Sequence, residues 1–202
     1  MTLRAIACSF VLLFAASSAM AATWTEVGDA GNLPATSQVT VGTGPLTTIQ
    51  GTLSSNSDQD TYCIQVTDPA NFRAYLNCVA FTDNDLWIFS GSTGVALNDG
   101  CTGGQTFVGA PLVTTAGTYY LAVSPSGDEA MNGAMPIWNP PSAAGQRSPD
   151  GTGAPGPISA WSNTGAVSSF NNYTIQLIGA TFCDTATPAD AKTWGRLKTI
   201  YR

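Results

Sequence analysis

The sequence predicts an all-β protein built as an antiparallel sandwich or barrel. Short stretches rich in Val, Ile, Thr and aromatic residues recur along the chain, and Gly, Asn, Asp, Ser or Pro separate them. These compositions are typical of strands and of turns, respectively. No internal stretch keeps the apolar period of a helix, and short, regularly spaced strands favour a sandwich or barrel over alternating β and α units. The predicted strands are SQVTVG, LTTIQGTL, TYCIQV, FRAYLNCVAF, LWIFS, VALND, PLVTT, GTYYLAVS and NYTIQLIGA.

Residues 1–21 are predicted to be a signal peptide. One positive charge, Arg4, precedes a short apolar run, and Ala19-Met20-Ala21 fits the small-residue pattern that signal peptidase recognises. The apolar run is too short for a membrane span, and no later stretch reaches the ~18 apolar residues of a transmembrane helix. We therefore expect an exported protein (extracellular, periplasmic or cell-surface) without a transmembrane segment, whose domain occupies residues 22–182.

Alternation along the predicted strands assigns their faces, because successive side chains on a strand point to opposite sides of the sheet. Every second residue of three strands is large and apolar, and we expect these residues to face the core: Tyr62, Ile64 and Val66; Tyr119, Leu121 and Val123; Tyr173, Ile175 and Leu177. Thr174 and Gln176 should face water. The same reasoning points Cys78 inward and Cys63 outward.

Four cysteines remain after the signal peptide: Cys63, Cys78, Cys101 and Cys183. An even number in an oxidising compartment favours disulfides, with three possible connectivities. Opposite parity disfavours a Cys63–Cys78 pair, so Cys78–Cys101 with Cys63–Cys183 is preferred, although a β-bulge would reverse this. Buried free thiols are the alternative. Without a C-x-x-C spacing or any histidine, we expect no zinc site.

The charge of the chain is uneven. Thirteen acidic residues follow the signal peptide, and only Arg73 and Arg147 are basic before residue 192, which gives the body a charge of −11. Nucleic acid is excluded as a partner on this basis, because its phosphates require a basic surface. The simplest role of the acidic surface is to keep an exported protein soluble.

Residues 125–166 differ from the rest of the domain. They hold seven of the twelve prolines and seven glycines, so they cannot form a long regular strand or helix. Trp138 and Trp161 argue against disorder, because each indole is stabilised by packing. We favour an insertion that folds back over a sheet edge; alternatively, the two tryptophans line a ligand-binding surface for sugar or peptide.

The order of several motifs resembles that of bacterial pre-peptidase C-terminal (PPC)-like domains. They are the segment 24–74 with its Asp58-x-Asp60-x-Tyr62 start, DNDLWIFSGSTGVALNDG, AGTYYLAV and NYTIQLIGA, which together cover nearly all of residues 24–180. The resemblance implies a jelly-roll-like β-sandwich and a non-catalytic secreted module of a kind that often follows proteases and other hydrolases. No catalytic domain precedes the module here, so we expect a stand-alone extracellular protein.

Catalysis is not expected from this residue inventory. The absence of histidine excludes Ser-His-Asp and Cys-His arrangements, and no phosphate-binding loop of the G-x-x-x-x-G-K form is present. Paired carboxylates would suffice for a glycan hydrolase. Most aspartates, however, lie in predicted turns facing water, where no burial raises the pKa of a general acid.

Calcium is the better site hypothesis, because hard cations take carboxylate and carbonyl oxygens from loops. The candidate ligands are Asp58, Asp60, Asp83, Asp85 and Asp99. NSDQDTY begins like an EF-hand, but Thr61 stands where glycine is needed and Thr67 where a bidentate glutamate is needed, which leaves a site assembled from several loops. The favoured alternative is structural: Asp60 and Asp85 accept backbone N–H bonds at turns.

Residues 183–202 form a basic tail. Thr187, Pro188 and Asp190 are a typical helix start, and Trp194, Leu197 and Tyr201 follow at helical spacing. The tail is predicted to be a short helix that docks on the acidic body or, alternatively, a tag for a sorting or surface partner.

Together these features predict an exported binding or accessory module that contacts polysaccharide, protein or matrix at the cell surface, with calcium as a candidate stabilising ion. The alternative is a structural or surface-assembly protein placed by its tail. A glycan hydrolase ranks third, since it would require two buried carboxylates facing one cleft.

Overall fold

A computed structural model describes residues 21–77, 83–100, 105–140, 145–164 and 172–185, and in these ranges the chain is almost entirely β. The predicted all-β sandwich is confirmed. The only helical segment described is a 3-10 turn at Pro34–Thr36, and no described helix is long and apolar enough to cross a membrane. The strands are β1 Ala22–Thr25, β2 Gln38–Val39, β3 Val41–Gly42, β4 Leu46–Thr52, β5 Asp60–Val66, β6 Arg73–Asn77, β7 Asn84–Ser90, β8 Thr93–Asn98, β9 Gln105–Gly109, β10 Gly117–Pro125, β11 Ala130–Asn132, β12 Met135–Pro136, β13 Gln146–Arg147, β14 Ala160–Trp161, β15 Asn172–Ile178, β16 Ala180–Phe182 and β17 Asp184–Thr185.

Two large sheets form the sandwich. The first has the order β1-β4-β15-β6-β9, and the second has the order β13-β8-β7-β10-β5-β16 with β2 also paired to β5. Most neighbouring strands in the two sheets are antiparallel, as predicted. Three short pairs are parallel instead: β1 with β4, β2 with β5, and β17 with β3.

The main core lies between the two sheets, and the predicted strand faces supply it. All nine alternating residues of β5, β10 and β15 that were expected inside are at most 5% exposed, and they belong to one apolar cluster. Thr174 and Gln176 are exposed, as expected. In these strands, therefore, alternation correctly predicts which side chains face the main core, because only one face of each strand packs there.

Residues 126–140 and 145–164 pack against the outer face of the second sheet. Part of the segment forms a small sheet of β12, β11 and β14, and its apolar side chains join those of β7, β8 and β10 in a second cluster. The second sheet is thus covered on both faces, which explains why Trp87 and Ile88, neighbours on β7, are both fully buried.

The disulfide Cys63–Cys183 is present, with 5.5 Å between the two Cα atoms, and this part of the predicted pairing is confirmed. Cys63 faces away from the main core, as parity required. On that side its disulfide partner Cys183 covers it, which leaves Cys63 4% exposed. The hydroxyl of Thr40 fastens this contact, donating to the carbonyl of Cys63 (2.8 Å) and accepting from the amide of Cys183 (3.0 Å). Cys78 and Cys101 lie outside the described residues.

Both ends of the chain also extend beyond the described residues. Residues 1–20 of the predicted signal peptide lie outside them, as do residues 186–202 with the predicted helix and Trp194. The first part of the tail is described: Asp184–Thr185 forms β17, which pairs with β3.

Candidate metal centre and its cleft

The loop after β1 carries the first carboxylate of the candidate site. β1 pairs with β4, and the amide of Glu26 continues this pairing by donating to the carbonyl of Gln50 (2.8 Å). The side chain of Glu26 then accepts two backbone N–H bonds, at Oε1 from Ala30 (2.8 Å) and at Oε2 from Thr52 (2.9 Å). Glu26 therefore fixes the N-terminal loop against β4 and is held in place by it.

The two aspartates in front of β5 have different environments. Asp58 closes the preceding turn, since its Oδ2 accepts from the amide (2.5 Å) and the hydroxyl (2.7 Å) of Ser54. Asp60 begins β5 and is fully buried. Its Oδ2 accepts a 2.6 Å hydrogen bond from the hydroxyl of Tyr173, while its Oδ1 has no hydrogen-bond partner among the described residues. No described backbone N–H thus donates to the Asp60 side chain, in contrast to the structural alternative.

Glu26, Asp29 and Asp60 come together as a carboxylate trio. One oxygen from each lies within 4.8 Å of the others, and Asp58 lies beside Asp29. Burial raises the pKa of Asp60 to about 8, and the negative charges of Glu26, Asp58 and Asp29 add to this rise against the hydrogen bond from Tyr173. Burial, followed by the charges of Asp58 and Glu26, also raises the pKa of Asp29. Ionising all three carboxylates together therefore costs free energy unless a positive charge lies nearby.

The donor set suits calcium. The trio offers only oxygen, and calcium binds six to eight oxygens at about 2.3–2.6 Å. Two oxygens bound to one such ion lie at most about 4.6–5.2 Å apart, which accommodates the spacing of the trio. A buried acceptor without a partner costs about 1–3 kcal/mol, so a bound ion would also satisfy Oδ1 of Asp60.

A cleft of about 670 Å³ opens beside the trio. Its lining comes from the loops next to the trio and from the ends of β1, β4 and β15: Thr25, Glu26, Gly28, Asp29, Gln50, Gly51, Thr52, Ser54, Asp58, Asn172, Tyr173 and Thr174. Asp60 does not line the cleft, but it is buried and bonded to Tyr173, which does. The site is therefore open to solvent on the side of Glu26 and Asp29 and closed on the side of Asp60.

The other predicted metal ligands lie on the opposite face of the second sheet. Asp60 pairs with Val123 and Asp85 pairs with Ser124 across the shared strand β10, and consecutive residues of a strand point to opposite faces. Asp58 and Asp60 are thus separated by the sheet from Asp85 and its neighbours Asp83 and Asp99. One ion cannot bind both groups.

Asp85 makes the contacts of the structural alternative. Its Oδ1 accepts from the amide of Gly100 and its Oδ2 from that of Gly127, both at 3.3 Å. Burial, and then the charges of Asp99 and Asp83, raise the pKa of Asp85 well above its usual range. A metal role for Asp83, Asp85 and Asp99 stays a prediction.

Trp138 and Trp161 are packed in the second cluster rather than displayed on a surface. They are 0% and 8% exposed, and each ring meets Trp87 edge-on at 5.2 Å. The indole of Trp161 also donates to the carbonyl of Asn32 (2.7 Å). This burial agrees with the favoured packing interpretation. A ligand-binding role for Trp138 and Trp161 stays a prediction.

Sequence reasoning missed Glu26 and Asp29. They follow β1 at a spacing that carries no metal motif, and only the parallel pairing of β1 with β4 brings them to Asp60. In the segment TWTEVGDAGN, too few consecutive residues favour a strand to predict β1 or its pairing with β4. No protein-family model matches this chain, and no curated protein sequence matches it significantly.

Proposed function

We propose that the chain is an exported, non-catalytic β-sandwich module that contacts polysaccharide, protein or matrix outside the cell, and that calcium fixes its N-terminal loop to the sandwich. The observation that carries the calcium proposal is the buried carboxylate of Asp60. Its Oδ1 lacks a partner in the part of the chain that the structure describes, and the carboxylates of Glu26 and Asp29 lie beside it. The resemblance of the motif order to PPC-like domains supports a secreted accessory role.

Calcium would join two parts of the chain that are distant in sequence. Glu26 and Asp29 lie in the loop after an edge strand, and Asp60 begins a strand of the other sheet. An ion between them would hold the edge strand β1 in place and neutralise the repulsion within the trio. Calcium is therefore expected to stabilise the folded chain strongly.

A thermal melt in millimolar calcium against a chelator tests this proposal. A ligand bound only by the folded state at one hundred times its Kd adds about 2.7 kcal/mol, which raises the Tm of a domain of this size by about 5–10 °C. Asp60→Asn and Glu26→Gln should abolish the rise. Asp184→Asn is the matched control, because it removes an exposed carboxylate on β17. An unchanged Tm in the parent protein would overturn the calcium site.

A glycan hydrolase is the second candidate, because Asp60 has a raised pKa and lies close to Glu26. Retaining glycosidases use two carboxyl groups about 5–5.5 Å apart. Here, however, Asp60 does not line the cleft, and both oxygens of Glu26 are already engaged by backbone N–H bonds. Release of reducing sugar that is lost in Asp60→Asn would favour the hydrolase over the binding module.

A further inference from the structure

The cation site opens onto the cleft, so an ion bound there would have coordination positions left for a ligand. Three carboxylates supply one oxygen each, and calcium takes six to eight. About three to five positions then remain. Glu26 and Asp29 line the cleft, so some of these positions face the solvent in it rather than the protein interior.

The charge of the site selects the class of ligand. Four carboxylates surround the site, from Glu26, Asp29, Asp58 and Asp60, and none of the described residues that line the cleft is basic. One calcium ion compensates only two of these charges, so an anionic ligand would still be repelled. A cationic ligand would compete with calcium for the same oxygens. Neutral hydroxyl oxygens are hard ligands that would complete the coordination without either penalty.

The wall of the cleft offers partners for further hydroxyl groups. Thr25 pairs with Gln50 across β1 and β4, and Gln50 pairs with Thr174 across β4 and β15. These three exposed side chains form one row on the outer face of the first sheet, at the strand spacing of about 4.8 Å. Hydroxyl and amide groups both donate and accept hydrogen bonds, as do sugar hydroxyls. The cleft volume of about 670 Å³ is within the usual range for small-ligand sites.

We propose that the bound cation coordinates neighbouring hydroxyl groups of a neutral glycan, whose other hydroxyls bond to the row of Thr25, Gln50 and Thr174. The inference rests on the calcium site of the proposed function and names the ligand class that this site takes. It places the ligand in the cleft beside β1, β4 and β15, and away from the tryptophans of residues 125–164.

The test is binding of the secreted protein to soluble mannan, xylan, β-glucan and galactan, in calcium and in chelator, with polygalacturonate and gelatin as the anionic and the protein probes. We expect at least one neutral polysaccharide to bind in calcium and to bind at least tenfold more weakly in chelator. The double variant Gln50→Ala/Thr174→Ala should also bind at least tenfold more weakly while keeping the full calcium-induced rise in Tm. Gln176→Ala, an exposed change on the same face of β15, is the control and should bind like the parent.

The outcomes separate the two proposals. If calcium raises the Tm but no neutral polysaccharide binds, or binding ignores the chelator, the glycan inference fails and the calcium site stands. Binding of polygalacturonate or gelatin alone would also overturn the glycan inference. If calcium leaves the Tm unchanged, the calcium site fails and the inference fails with it.

Discussion

The hydroxyl of Tyr173 donates a 2.6 Å hydrogen bond to Oδ2 of Asp60 across the main core, from β15 in one sheet to β5 in the other. Tyr62 extends the contact, with 2.5 Å between the two tyrosine oxygens. When Asp60 is ionised, the single proton of Tyr173 is directed to it, so Tyr62 must donate to Tyr173. Gly51 makes room for the pair, because a Cβ there would lie 2.3 Å from the Tyr173 oxygen and 2.7 Å from that of Tyr62.

Tyr173→Phe should lower the free energy of unfolding by about 1–3 kcal/mol, because it leaves a buried carboxylate oxygen and the Tyr62 hydroxyl without their partner. It should also weaken calcium binding, since Asp60 loses the group that orients it. Urea unfolding with an unchanged m-value and calcium titration measure the two effects. Tyr119→Phe is the matched control: among the described residues its hydroxyl bonds to Thr115 alone, near the start of β10. Equal losses in the two variants would contradict a special role for the Tyr173–Asp60 contact.

Glu129→Gln should stabilise the protein at pH 8 and leave it unchanged at pH 5. Burial, and then the charge of Asp99, raise the pKa of Glu129 to about 7 against the attraction of Arg147. The folded state therefore holds this proton when the unfolded state has released it, and stability falls as pH rises from about 4.5 through 7. Glutamine stays neutral and removes that fall. The measurement is Tm against pH in chelator, and a variant less stable than the parent at pH 8 would refute the burial argument.

Trp138→Ala should lower the free energy of unfolding by about 3–5 kcal/mol, because it empties a large site at the centre of the second cluster. Met135→Ala, in the same segment, is the control: Met135 is 47% exposed, and a surface change is typically within about 0.5 kcal/mol. Chemical unfolding provides the comparison. A stable Trp138→Ala variant that had lost polysaccharide binding would instead restore the binding-surface interpretation.

Removing the Cys63–Cys183 disulfide should cost about 2–5 kcal/mol, since it closes a loop of 120 residues. The double variant Cys63→Ser/Cys183→Ser, unfolded in urea without reductant, gives the value. Mass spectrometry after alkylation of the parent protein also tests the predicted Cys78–Cys101 pair. Cross-linking of Cys63 to any residue other than Cys183 would show that the pairing described here is wrong.

The alternation of apolar and polar residues correctly predicted which side chains face inward in strands with one face on the main core. The alternating residues of β5, β10 and β15 all pointed as expected, and the parity of Cys63 led to the correct partner. The composition of residues 125–166 leaves two interpretations open, although LWIFS in β7 is a continuous apolar run. Such a run indicates a strand buried on both faces, and it was the signal that something had to cover the second sheet.

The candidate site was only partly predictable. Asp58 and Asp60 were recognised because aspartates alternate before a strand, but the same pattern is common in turns. Glu26 and Asp29 could not be found locally, since their approach to Asp60 depends on a parallel strand pair between distant segments. The burial of Asp60 likewise depends on Tyr173, which lies 113 residues away.

β5 holds both the buried carboxylate and the disulfide, and this makes its alignment nearly immune to slippage. A shift by one residue would turn Asp60 out of reach of Tyr173, bring Thr61 and Cys63 into the main core, and move Cys63 away from Cys183. Each of these three changes would destabilise the fold, and a shift by one residue would cause all three at once. Interactions on both faces of β5, the Asp60–Tyr173 hydrogen bond on one and the disulfide on the other, thus fix its register.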